Sequence, residues 1–409
     1  MELRRINGLP PYVFSIIDGL KMQARRAGDD VIDLGFGNPD IASPDVAVDK
    51  LAEAVHNPRN HRYSASRGIP KLRLALTDLY LRRFGVDLDP DTEVVATIGA
   101  KEGLSHVMWV LVGPGDTALV PSPSYPIHVY APLFAGADVQ QVRLGDPQDA
   151  PVGAADVGGG EEASAEEGFF ANLMTAWEST WPKPRVIVLS FPHNPTTACV
   201  DLAWMTRMVD FAREHEVVLV HDFAYSDTAF DGYVPPSILQ VPGAKDVAVE
   251  LYTLTKSFSM AGWRVAFMVG NPTIVAALTK LKSYLDYGTF QPIQIAATVA
   301  MNEAPDYPKV VNELYHGRRD ALCEGLARIG WPVAKPKGTM FVWARIPEPY
   351  REMGSLDFAK LLVSEGQVAC SPGMGFGPGG DGHVRFALIE NEKRIGQAVR
   401  SLRRTLTRL

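Results

Sequence analysis

Between residues 94 and 220 the chain carries four short apolar runs. They are Val94-Val95-Ala96-Thr97, Thr117-Ala118-Leu119-Val120, Val186-Ile187-Val188-Leu189 and Val217-Val218-Leu219-Val220. Each is bounded by turn residues and shows almost no polar alternation, the pattern of strands buried on both faces. Between them lie longer segments, Leu72 to Arg83 and Leu202 to His215, whose apolar residues recur at helical spacing. Strands alternating with helices predict an α/β fold with a mostly parallel central sheet flanked by helices. After about Gly288 the pattern changes to long helices, a strand-like run Met340 to Ala344, and the turn-rich stretch Ser371 to Gly380. These predict a smaller α+β domain. The expected division is an N-terminal arm and part of the small domain at 1–44, a large domain at 45–288, and the small C-terminal domain at 289–409.

Composition adds limits. The chain has 409 residues, 46% of them hydrophobic, enough for a large core. A net charge of −7 argues against nucleic acid or an anionic membrane surface as the main partner. No stretch approaches the ~20 apolar residues of a membrane span, and the first residues are not of signal-peptide type. Cys199, Cys323 and Cys370 are too scattered for a disulfide framework or a zinc pattern. A reduced, cytoplasmic setting is expected. Residues 148–168 are rich in glycine, alanine and acids, and predict an exposed, mobile loop.

In open parallel sheets, ligands gather at the carboxyl ends of strands. The chemically interesting residues follow the predicted strands. Gly99-Ala100-Lys101 comes after the first run, Pro121 to Pro126 after the second, Phe191 to Thr197 after the third and His221 to Tyr225 after the fourth. Further on, Thr253-Leu254-Thr255-Lys256-Ser257 leads to Arg264. A lysine amine forms Schiff bases with aldehydes, and hydroxyls plus a guanidinium hold phosphate. Together they suggest pyridoxal 5′-phosphate (PLP), an aldehyde that carries a phosphate. Such a cofactor needs a carboxylate at its ring nitrogen, donors to its ring oxygen and backbone amides for its phosphate. Asp222, Tyr225, Asn194 and the 99–101 turn are candidates. Each also has an ordinary reading, as a cap, a turn or a core aromatic such as Tyr125. Arg385 sits in an apolar alternating run, where it needs an internal acid or an anionic ligand.

Two other chemistries are set aside. Leu34-Gly35-Phe36-Gly37 lacks the third glycine of a dinucleotide loop, because Asp40 stands there. The spacing of His193, His221 and Asp222 matches no metal motif, so no metal is expected.

Taken in order over essentially the whole chain, these segments resemble the class I/II, fold-type I, PLP-dependent aminotransferases. Within them, Leu9 to Phe14, Leu34 to Asp40, Tyr63 to Gly68, Thr255 to Arg264 and Lys282 to Phe290 look like the bacterial alanine transaminase group and the neighbouring LL-diaminopimelate aminotransferases.

The resemblance implies roles. Lys256 would form the Schiff base and move the proton at the substrate Cα. Asp222 would keep the pyridine nitrogen charged. Asn194 and Tyr225 would bind the ring oxygen, and Tyr125 would stack on the ring. Ala100, Lys101, Thr253, Thr255 and Arg264 would hold the phosphate. Tyr63 would reach the phosphate of the neighbouring subunit, making the active unit a homodimer with active sites at its interface. Arg385, Asn194, Gly37 and Tyr12 would receive the substrate. Ala100 stands where many relatives have a hydroxyl, and Thr197 where they have a small residue. Alanine is the expected amino donor, with pyruvate or 2-oxoglutarate as acceptor. LL-diaminopimelate remains an alternative, as does a PLP-dependent lyase or decarboxylase using the same lysine, aspartate and arginine.

Overall fold

The computed structural model describes residues 9–10, 12–145 and 165–406. Its strands, in chain order, are β1 Ile32–Asp33, β2 Val94–Thr97, β3 Thr117–Ser122, β4 Asp138–Arg143, β5 Val186–Leu189 and β6 Val218–Asp222. They continue with β7 Ala248–Thr253, β8 Ala266–Gly270, β9 Phe341–Arg345, β10 Val368–Ala369, β11 Ser371–Pro372 and β12 His383–Ala387. All four apolar runs are strands of one seven-stranded sheet, ordered β2-β8-β7-β6-β5-β3-β4. Every neighbouring pair is parallel except those made by β8, which runs antiparallel to both β2 and β7. The expected α/β architecture with a mostly parallel sheet is therefore what the chain adopts.

The pleat explains the continuous apolar runs. Ile187 and Leu189 point into one buried cluster, Val186 and Val188 into another. Leu219 and Val220 divide the same way. A strand with side chains in two cores has no solvent face on which polar residues can alternate. Strand β4 differs, because Val142 is its one fully buried residue and four of its six residues are polar.

The predicted helices appear as Pro70–Phe84 and Leu202–Glu214. Asp201 starts the second by accepting a hydrogen bond from the Trp204 amide at 2.8 Å. Most of the acidic stretch, residues 148–164, lies outside the described residues. Its last four positions open the helix Ala165–Ser179. Alanine and glutamate there have high helix propensity.

The described residues fall into two compact units. The larger spans 38–316 and 336–340 and holds the seven-stranded sheet. In it the helix Gln291–Glu303 packs on the helices Asp45–Val55 and Pro70–Phe84. The smaller is built from 1–37, 317–335 and 341–409. Here β1 pairs in parallel with β10, and β12 runs antiparallel between β9 and β11.

Because β8 is antiparallel to both its neighbours, β2, β3, β5, β6 and β7 all run the same way. Their carboxyl ends share one edge of the sheet. That edge carries the loops of residues 98–100, 123–125, 190–197, 223–225 and 254–256.

Candidate active site

At the end of β6, Asp222 Oδ2 lies 2.8 Å from His128 Nε2. The fully buried His128 is itself fixed by Ser124 Oγ, 2.7 Å from its Nδ1. Asp222 Oδ1 is buried with no hydrogen-bond partner among the described residues. A buried carboxylate oxygen left without a donor is expensive. This one fits a donor such as a protonated ring nitrogen.

The sheet beside Asp222 is tied together by a buried polar network. The preceding residue, His221, lies 2.9 Å through Nδ1 from the fully buried Glu250 of β7. Glu250 also accepts from Tyr80, Ser237 and the Ile238 amide at 2.7 to 2.9 Å. A buried carboxyl group with four such partners is well satisfied and ties β6 to β7. Burial, then the Glu250 charge, pushes the Tyr80 hydroxyl well above its ordinary value, so it stays a donor.

Beside this lies a cradle for an anion. β2 turns at Gly99 into the helix Ala100–Leu111, whose first amides have no partner within the helix. Gly99 has φ +81°, and a Cβ there would lie 2.0 Å from Arg264 Nη2. Only a glycine lets the backbone come this close to the guanidinium. Arg264 itself has φ 58° and donates to the Ala261 carbonyl at 3.0 Å. At the end of β7, Thr253 Oγ1 lies 2.8 Å from Thr255 Oγ1 and accepts from the Thr255 amide at 3.2 Å. Amides, hydroxyls and a guanidinium are what a phosphate requires. The first turn also supplies Lys101, whose Nζ lies 5.6 Å from the centre of the Tyr125 ring.

Lys256 occupies the one-turn helix Leu254–Ser257 immediately after β7 and is half-buried. Asn194 and Tyr225, both buried, follow β5 and β6 on the same sheet edge. The Asn194 loop is shaped by His193, whose amide donates to Ala198 at 2.9 Å and whose Nδ1 lies 2.8 Å from Thr196 Oγ1. Burial, aided by His128, lowers the His193 pKa to about 3, so the ring is neutral. Thr197 closes the loop at φ 64°, an uncommon conformation for a β-branched residue.

In the smaller unit, Arg385 of β12 is buried and donates to the Gly35 carbonyl at 3.2 Å and to Ser371 Oγ at 3.3 Å. Its guanidinium lies over two rings, 3.9 Å from the centre of Phe341 and 4.6 Å from that of Phe376. A Cβ on Gly37 would meet Phe341 at 2.6 Å. Tyr12 precedes the helix Val13–Ala27, with its ring 5.1 Å from Phe14, and Phe14 in turn packs on Phe376 at 5.0 Å. Gly37, Arg385 and Tyr12 therefore belong to one aromatic-lined cluster. Tyr63 is 85% exposed, with its ring 4.6 Å from that of Tyr287.

The sequence concealed His128 and, although the 99–101 turn was a candidate, the approach of Gly99 to Arg264. A histidine two residues into a helix reads as core. The glycine's significance is its distance from Arg264, which lies 165 positions away along the chain.

A family model described as "Aminotransferase class I and II" matches residues 29–402. The chain is 50% identical over 399 residues to glutamate-pyruvate aminotransferase AlaC of Escherichia coli, covering 98% of this chain and 92% of that protein. It is 38% identical over 405 residues to the LL-diaminopimelate aminotransferase of Moorella thermoacetica, covering 99% and 98%. Substrate-bound BacF from Bacillus subtilis superposes with a TM-score of 0.87 at 33% identity, covering 99% and 97%.

Proposed function

The chain belongs to the class I and II aminotransferases, and from that premise we propose that it exchanges amino groups between alanine and 2-oxoglutarate in two successive half-reactions. It is an aminotransferase whose cofactor is PLP. When bound, PLP supplies an electron sink that makes the substrate Cα–H bond acidic. The alanine assignment is supported by the 50% identity to a protein named glutamate-pyruvate aminotransferase.

The observation that carries the site assignment is the buried, unpartnered Oδ1 of Asp222 beside its His128-bound Oδ2. It suits a ring nitrogen that must stay protonated. In this reading Lys256 Nζ would take the substrate Cα proton as general base. Asn194 and Tyr225 donate to the ring oxygen, and Tyr125 covers the ring. The amides of Ala100 and Lys101, the hydroxyls of Thr253 and Thr255, and Arg264 hold the phosphate. Ala100 brings no hydroxyl of its own, so the Gly99–Arg264 approach takes a larger share. Arg385, set beside the rings of Phe341 and Phe376, would grip the substrate carboxylate with Gly37, and Tyr12 would close over it.

We further propose that the active unit is a homodimer in which Tyr63 reaches the partner's phosphate. Tyr63 and Tyr287 are both exposed, as are Tyr284 and Phe290, three residues to either side of Tyr287. Exposed aromatic residues gathered in this way mark protein interfaces. The scattered free cysteines suit a reducing, cytoplasmic setting.

LL-diaminopimelate is the second donor to consider, because of the 38% identical relatives that carry that name. Mixing the PLP-loaded protein with single amino acids, and following conversion to pyridoxamine phosphate by absorbance, separates the readings. Alanine and glutamate should convert the cofactor, and LL-diaminopimelate should not. Conversion by LL-diaminopimelate alone would overturn the alanine assignment.

A further inference from the structure

Lys282 is fully buried near the end of the helix Pro272–Leu285, and the mechanism above makes no use of it. Its Nζ lies 3.1 Å from Glu102 Oε1 and 2.9 Å from Asp286 Oδ2. A buried ammonium is unfavourable unless paired, and here two carboxylates share it. Ligand atoms of Glu102, His106 and Asp286 lie within 4.8 Å of one another, but the ammonium already stands among them as their cation. The group is a charge network. Burial alone would raise the pKa of Glu102. His106, Lys282 and the Ile98 amide together hold it below its ordinary value, so it is ionised.

What each carboxylate does with its other oxygen gives the network its meaning. Glu102 Oε2 accepts from the Ile98 amide at 2.7 Å, one residue before Gly99. It thereby fixes the turn that presents the amides of residues 100 and 101. Asp286 Oδ1 accepts from the Gly288 amide at 2.6 Å, and the Asp286 carbonyl accepts from Ser66 Oγ at 2.7 Å. Gly288, at φ +75°, sits where a Cβ would meet the Ala65 carbonyl at 2.9 Å. The second arm thus presses 286–288 onto 65–66, beside the Tyr63–Tyr287 ring pair.

We propose that Lys282 is a positioning residue for the cofactor phosphate. Its buried ammonium locks Glu102, and through it the Ile98–Gly99 turn, into the shape that receives the phosphate. It locks Asp286 so that the Tyr63 segment is held by the same centre. The inference rests on the PLP reading above and adds a residue that touches neither cofactor nor substrate.

The test compares PLP with pyridoxal, which has the same ring and aldehyde but no phosphate. Purified full-length apo-protein is titrated with each, for wild type, Lys282→Met and Glu102→Gln, with melting temperatures recorded alongside. Lys282→Met should bind PLP about tenfold more weakly while its pyridoxal affinity stays within about twofold of wild type. Glu102→Gln keeps an acceptor for Ile98 and should shift the same ratio by less. It carries the test if Lys282→Met does not fold. Folded variants that bind PLP as wild type does, or that lose PLP and pyridoxal in equal proportion, would overturn the proposal. Failure of the wild-type chain to bind either compound would overturn the cofactor reading, and this inference with it.

Discussion

His128 Nε2 and Asp222 Oδ2 lie 2.8 Å apart, and no other described contact holds that carboxylate in place. The pair leaves Oδ1 buried and without a hydrogen-bond partner among the described residues. Replacing His128 by Leu should therefore misorient Asp222 without removing it. PLP affinity and kcat are each expected to fall about tenfold, the usual scale for removing a group that orients a ligating residue. A folded His128→Leu protein with wild-type PLP affinity would show that the pair is not needed for orientation.

The contact between Gly99 and Arg264 leads to a second expectation. In Gly99→Ala the new methyl would sit 2.0 Å from Arg264 Nη2, on a backbone with φ +81°. The guanidinium must move off the turn, and PLP titration should report a loss of at least about tenfold. Loss of affinity for pyridoxal to the same degree would point instead to general damage.

Much of this was legible in the sequence, for physical reasons. Strands β3 and β5 pack into two cores, so their residues are apolar without interruption, and their ends locate the site loops. Lys256 stood out for its hydroxyl neighbours and Arg264, Asp222 for its place after a buried strand, and Arg385 because a charge in an apolar run needs a partner. Strand β4 did not stand out, because four of its six residues are polar and only Val142 is fully buried. The partnerships were hidden too. His128 and Asp222 are 94 positions apart, and Lys282 and Glu102 are 180 apart, so only folding brings them together.

Thr197 offers a stability test. A β-branched residue at φ 64° is strained by about 1–2 kcal/mol. Thr197→Gly relieves that strain but makes the unfolded chain more flexible, so the net gain should be about 1 kcal/mol. Urea denaturation of the two proteins at neutral pH measures it. A less stable glycine variant would mean that the threonine side chain makes a compensating contact.

His193 should make stability pH-dependent. Its folded pKa is about 3, against an ordinary 6.5, because burial disfavours the charged ring. Below pH 6.5 the unfolded chain takes up a proton that the folded chain refuses, so stability falls with pH until about pH 3. Between pH 7 and 5 this amounts to about 2 kcal/mol. In His193→Asn that part of the acid sensitivity should vanish, whatever the variant's stability at pH 7. Identical slopes in variant and wild type would remove His193 as the cause.

The central claim is that Lys256, set after β7 beside the anion cradle, carries the amino-transfer chemistry. The most direct measurement adds L-alanine to PLP-loaded wild type and Lys256→Ala, following cofactor absorbance and pyruvate together. Wild type should form one pyruvate per converted cofactor with no release of ammonia, and Lys256→Ala should hold PLP yet form no pyruvate. Pyruvate formation by Lys256→Ala at the wild-type rate would contradict the account.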